Sequence, residues 1–351
     1  MIKKIKIGRF TIGEGCSTFI VAELSGNHNG KIKNLLNLIF LAKKSGADAV
    51  KIQLYTPNTI TLKSKKNDFK IKKNNTWSKY KTLYELYEVA HTPFEWIDEI
   101  FSYCKKLNIL VFSSVFDKKS LDLLESQKCD AYKIASNEIT DIPLIEKVAN
   151  TNKPVMISTG LAEKNDIALI VKVFNKFNNK KLIILKCTST YPTPFDQVNL
   201  KNMLDIKNKY NCLSGISDHS LGSKVPLAAA ALGASVIEKH FIKSNFTKSV
   251  DSFFSLNPKE FKKMIEDVRL IEKILGQNTY KISNSSKINF AGRRSLYISK
   301  KIKKGEKITS ENIKSVRPGF GLHPKYYKKV LGKRVNRDLL IGDRLSWKVI
   351  I

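Results

Sequence analysis

The stretch "ASVIEKHF" (Ala234 to Phe241) decides the fold. The apolar run from Val225 to Ile237, broken only by Pro226, Gly233 and Ser235, stops abruptly in Glu238, Lys239 and His240. An apolar segment that finishes in three ionisable residues is a buried strand whose tip meets something polar. Along an extended chain Glu238 and His240 face one side and Lys239 the other.

The same signature recurs. Strand candidates are "FIVAE" (19–23), "AVKIQL" (49–54), "ILVFSS" (109–114), "AYKIAS" (131–136), "PVMIST" (154–159), "LIILKCTS" (182–189), "LSGISDH" (213–219) and "SVIEKH" (235–240). Each carries polar residues near its C-terminal end, such as Glu23, Lys51 with Gln53, Ser113 with Ser114, and Lys133 with Ser136. Between them lie amphipathic stretches such as "LLNLIFLAKKSG" (35–46), "PLIEKVANTN" (143–152) and "IALIVKVFNKF" (167–177). Strand alternating with helix implies right-handed βαβ units and a parallel sheet. Eight such units within roughly 250 residues is the count of a TIM barrel. A doubly wound open sheet is the alternative, but its Gly-rich turn after the first strand is missing. Polar tips on strands buried on both faces are costly unless they line a site, and a barrel brings all eight tips to one mouth.

The expected organisation is therefore an α/β chain: a (β/α)8 TIM barrel over residues 1–276, a polar linker over 277–289 and a small β-rich domain over 290–351. In that last domain Gly-centred turns join short strands, and "SENI" (Ser310 to Ile313) reads as a brief helical turn.

Composition narrows the function. Of 62 basic residues in a chain of net charge +31, only eight are arginine, the residue suited to forking phosphates and stacking on bases. The lysines are scattered, which reads as a solvated surface and not as a nucleic-acid interface. The lysine-rich stretch Lys63 to Asn75 reads as an exposed loop. The basic N-terminus is not followed by the 7–15-residue apolar core of a secretory signal, and no apolar run reaches the roughly 18 residues that span a bilayer. Five cysteines without CxxC spacing fit reduced thiols in a cytoplasmic protein.

At the strand tips, His219 and His240 fall on neighbouring strands, and two neutral imidazoles facing one cavity suit a divalent metal. Core histidines satisfied by hydrogen bonds are the competing reading. His28 in "NHNG" is a third candidate, read as a loop residue. Lys51 and Lys133 lie inside strand tips, where a buried cation needs an anionic partner. Either an anionic ligand supplies it, with Ser114, Ser136, Ser158 and Ser217 as hydroxyl donors, or an internal Lys–Glu pair does. Cys187 has no obvious partner histidine and reads as structural.

Seven ordered motifs resemble the sialic acid synthase family: "AELSGNHNG" (22–30), "VKIQLY" (50–55), "AYKIASNE" (131–138), "ISTG" (157–160), "CTSTYPTP" (187–194), "GISDHSLG" (215–222) and "IEKHF" (237–241). The C-terminal "SVRPGFGLHPKYY" (315–327) resembles the antifreeze-like, or SAF-type, domain of these enzymes. The resemblance implies condensation of phosphoenolpyruvate with an N-acylated amino sugar, with Mn2+ or Mg2+ as Lewis acid.

It further implies that His219 and His240 bind the metal. Lys51, Ser114, Lys133, Ser136, Ser158 and Ser217 would form the phosphoenolpyruvate pocket, with Ser189 at a position usually held by asparagine. Glu23 and Glu138 take acid/base roles, and Tyr191 and Asp251 face the sugar. Arg317 would reach the sugar site of a partner subunit in a domain-swapped homodimer.

"KCTSTYPTP" puts Lys186 and Ser189 where N-acetylneuraminate synthases have histidine and asparagine. With "YKTLYELYEVAHTPFEW" (80–96), this is closer to the pseudaminic acid synthase branch, whose sugar is a 2,4-diacetamido-2,4,6-trideoxy hexose and whose product modifies flagellin or surface glycans. N-acetylneuraminate or legionaminate synthesis is the near alternative. A non-catalytic carbohydrate-binding protein is the alternative of another class.

Overall fold

The computed structural model describes residues 4–351. The chain begins with a hairpin of β1 (Lys4–Ile7) and β2 (Phe10–Gly13). Eight parallel strands follow: β3 (Phe19–Glu23), β4 (Ala49–Leu54), β5 (Leu110–Val115), β6 (Tyr132–Ile134), β7 (Val155–Ser158), β8 (Leu182–Cys187), β9 (Leu213–Asp218) and β10 (Val236–His240). They close into a barrel in chain order, with β10 paired back onto β3. The first unit is a (β/α)8 barrel of the TIM type, and its eight parallel strands close instead of forming a doubly wound open sheet.

Register sets the chemistry. Glu23 pairs with Lys51, Ser114 with Lys133, Ser217 with Glu238, and His240 with Glu23. Alternation along β10 sends Glu238 and His240 to the barrel interior, while Lys239 turns outward and pairs with Asp218 at 2.6 Å.

Helices between the strands bury one apolar stripe each against the barrel. In Ile32–Lys44 the stripe is Leu35, Leu38, Ile39 and Ala42. In Pro258–Leu275 it is Phe261, Met264, Ile265 and Val268, and Asn257 caps that helix by accepting from the Lys259 and Glu260 backbone N–H groups. The N-terminal hairpin had no counterpart among the strands expected from the sequence. Its Ile5, Ile7 and Ile12 join the barrel core, and Phe10 packs edge-on against Phe19 at 5.2 Å, so it covers the end where the strands begin.

The chain divides into two compact units between Gly276 and Gln277. The second has its own apolar core, including Leu296, Ile298, Ile313, Leu339 and Leu345, around a hairpin of β11 (Ser295–Ile298) and β12 (Ile313–Val316). Here one expectation fails. Ser310 to Asn312 form a turn and Ile313 opens β12, because Ile313 is needed in that core. Short helical turns instead occupy Pro324–Tyr326, Tyr327–Val330 and Trp347–Val349. Among the described residues no helix is long and apolar enough to cross a membrane.

Candidate active site

At the C-terminal end of the barrel a cavity of about 330 Å³ opens. Lys51, Lys133, Ser136, Glu138, Ser158, Tyr191, Ser217, His219, His240 and Asp251 all line it. The closed sheet makes this possible, since strand tips 200 residues apart in sequence share one mouth.

Charge in the floor is paired internally. Glu238 accepts from Lys51 at 2.9 Å, from Lys133 at 3.1 Å and from the Ser217 hydroxyl at 2.8 Å. Lys51 also reaches Glu23 at 3.1 Å. Of the two readings left open for the buried lysines, the Lys–Glu pair is therefore present. Burial favours the neutral acid in Glu238, but the Lys133 and Lys51 ammonium groups outweigh it and hold its carboxyl well below the usual range. Glu23 goes the other way: burial raises it, with Lys51 opposing and Glu238 adding to the rise. Lys133 is pushed down, chiefly by burial.

Several buried polar atoms of the lining residues have no hydrogen-bond partner: the Ser158 hydroxyl, one carboxylate oxygen each of Glu138 and Glu238, and His240 Nδ1. Unsatisfied groups gathered at one place mark a site prepared for a ligand. Burial lifts Glu138 to about 7, placing its proton exchange in the neutral range.

The histidines fit a divalent metal as two members of its shell. Their rings lie 5.3 Å apart, and His219 is oriented by Nδ1, 3.1 Å from the Thr188 carbonyl, which leaves Nε2 for the cavity. His240 is held neutral, the ligating form, first by burial and then by His219. No group of three or more His, Cys, Asp or Glu residues arranged for a metal occurs among the described residues, so the remaining ligands would be water or substrate oxygens.

Residues 38–280 match the NeuB family and residues 293–350 the SAF domain. The chain belongs to the NeuB family. It is 47% identical over 342 residues to the pseudaminic acid synthase of Campylobacter jejuni, covering 97% of this chain and 98% of that one. It is 42% identical to the pseudaminic acid synthase of Helicobacter pylori, covering 93% and 96%. Among solved structures, the spore coat polysaccharide biosynthesis protein spsE of Bacillus subtilis is 31% identical, with a TM-score of 0.69 and 99% of each chain covered.

Within this NeuB barrel some expected site residues stand apart from the cavity lining. Glu23 is fully buried behind Lys51, and Ser114 is buried beside Lys133 on the neighbouring strand. Ser189 sits half-buried against Gly160, where a Cβ would collide with the Ser189 and Ser136 hydroxyls; the Gly160 N–H donates to Ser136. Lys186 donates to the Thr188 hydroxyl in a smaller pocket behind the floor. Arg317 belongs to the second unit, where it is exposed. His28 is a loop residue: its Nδ1 accepts from the Gly30 N–H and its ring meets Trp96 edge-on.

Cys187 corrects the sequence reading, because it does have a histidine partner. Its Sγ lies 3.8 Å from His219 Nδ1. Burial alone would raise the thiol, and the His219 contact more than offsets this, bringing it to about 7.

Other cavity residues escaped the sequence: Ser25, which donates to Asp251, and Tyr55, Trp77 and Tyr87. Ser25, Tyr55 and Tyr87 lay inside quoted motifs without being singled out, whereas Trp77 comes from the long excursion between β4 and β5, where no strand-tip pattern points to it.

Proposed function

We propose that this enzyme is a pseudaminic acid synthase, condensing phosphoenolpyruvate with 2,4-diacetamido-2,4,6-trideoxy-L-altrose to give pseudaminic acid and phosphate. The observation that carries the reading is one cavity holding two buried lysines, a set of serine hydroxyls and two imidazoles. The likeness to two pseudaminic acid synthases over nearly the whole chain supports the choice of sugar.

In this reading Lys51, Lys133, Ser136, Ser158 and Ser217 bind the carboxylate and phosphate of phosphoenolpyruvate, with Ser114 and Ser189 supporting them. The C3 carbon of phosphoenolpyruvate attacks the aldehyde carbon of the open-chain sugar and forms the new C–C bond. Water then adds at C2, Glu138 takes its proton, and the tetrahedral carbon expels phosphate. Glu23, kept toward its protonated form, is a proton store behind Lys51 for the new hydroxyl. Tyr191 and Asp251 orient the sugar. His219 and His240 would hold a divalent metal, Mn2+ or Mg2+, which would supply Lewis-acid polarisation of the aldehyde. The work is placed in the cytoplasm, in keeping with five unpaired cysteines.

Phosphate release with each candidate sugar tests the reading. Turnover is expected with the diacetamido trideoxy sugar, lost with a chelator and restored by Mn2+; turnover with N-acetylmannosamine alone would sink it. A protein that binds sugar but never releases phosphate would be a carbohydrate-binding module instead.

We place Arg317 in the partner subunit's sugar site, in a domain-swapped homodimer. Mixing inactive Arg317→Ala and His240→Ala proteins would then restore activity, since some mixed dimers hold one intact site. Mixtures that stay inactive would refute the swap.

A further inference from the structure

One wall of the cavity has a chemistry the condensation itself does not require. The helix Leu83–Ala90 presents Leu83, Leu86, Tyr87 and Ala90 to the cavity, positions i, i+3, i+4 and i+7 of one face. Ile71 and Trp77 extend that face. The Trp77 indole N–H is already spent on the Val250 carbonyl at 2.8 Å, so its ring offers only apolar surface. Tyr87 is braced edge-on by Tyr55 at 5.7 Å, and Tyr55 in turn by Phe116 at 4.9 Å. Leu86, Ala90 and Val250 form a small buried cluster separate from the barrel core, against which Ile71, Trp77 and Tyr87 pack. The wall is a built apolar surface, and it faces a cavity whose floor is charged.

We infer that Ile71, Trp77, Leu83, Leu86, Tyr87 and Ala90 form a specificity subsite for a deoxygenated, methyl-bearing sugar terminus. The inference rests on the proposed condensation. There, the aldehyde carbon must meet phosphoenolpyruvate among the lysines, serines and imidazoles. The sugar carbon farthest from the aldehyde is C6, and the apolar wall of the same cavity is the surface inferred to receive it. A C6 methyl gains from burial against leucine and aromatic surface, whereas a C6 hydroxyl would give up water there for, at most, the Tyr87 phenol or the Asn75 amide. An apolar wall of this kind favours the methyl by about tenfold to a hundredfold.

The test compares kcat/KM for 2,4-diacetamido-2,4,6-trideoxy-L-altrose and its 6-hydroxy counterpart, each with phosphoenolpyruvate. The wild type is expected to favour the deoxy sugar by about ten- to a hundredfold. Leu83→Asn and Ile71→Thr, on separate segments, should each bring the ratio toward one while leaving the KM for phosphoenolpyruvate unchanged, which also reports an intact floor. A wild-type ratio near one would overturn the subsite, as would a ratio unmoved in both variants. Turnover of neither sugar would overturn the condensation reading itself, and the subsite with it.

Discussion

Glu238 is the residue on which the floor of the cavity depends. It neutralises two buried ammonium groups at once, so Glu238→Gln leaves Lys51 and Lys133 without their shared counter-ion. Breaking a buried pair by removing one partner costs about 3–5 kcal/mol. The variant should melt well below the wild type in a calorimeter, and added phosphate should raise its melting temperature more than it raises the wild type's. An unchanged melting temperature would show that the carboxylate is dispensable. Glu138 carries a second prediction. Its carboxyl is lifted from 4.5 to about 7, and only the unprotonated form can accept a proton from water. The rate with saturating metal should therefore fall on the acid side of about pH 7, roughly tenfold per unit. In Glu138→Gln the residual rate should lose that limb; a limb that persists would assign it to another group.

At the level of elements, the barrel was legible because every strand announces its C-terminal tip with polar residues. The strand expected at 235–240 is observed at Val236–His240. The segment at 131–136 gives a shorter strand, Tyr132–Ile134, because Ser136–Glu138 turn into a single helical turn that aims Ser136 and Glu138 into the cavity. The N-terminal hairpin went unread although "KIKI" alternates charged and apolar residues, a short-strand pattern masked by its basic composition. The apolar wall was not legible either, since nothing in a one-dimensional pattern says which mouth a distant helix covers. Lys–Glu pairing over more than 180 residues, from Lys51 to Glu238, is hidden for the same reason. Between neighbouring elements, Gly215 in β9 has no room for a side chain: a Cβ there would strike the Val236 backbone of β10. Gly215→Ala should destabilise the barrel by about 1–3 kcal/mol through overpacking, read as a lower urea midpoint. A midpoint equal to the wild type's would show that β9 and β10 can separate at no cost.

On the scale of the whole molecule, residues 277–351 enclose a core of their own. Expressed alone, this unit should show a cooperative thermal transition and dispersed amide resonances; a featureless melt would mean that it needs the barrel to fold. The barrel has no such modularity. Its seam joins Phe19–Glu23 to Val236–His240, so the ring is incomplete until nearly all of the first unit has left the ribosome. At about 5–20 residues per second, β3 waits roughly ten to forty seconds for the strand that covers its open edge. Throughout that interval an edge strand that is apolar up to its tip at Glu23 is available to any other unpaired chain. Crowded synthesis is therefore a stage at which this seam is exposed to aggregation.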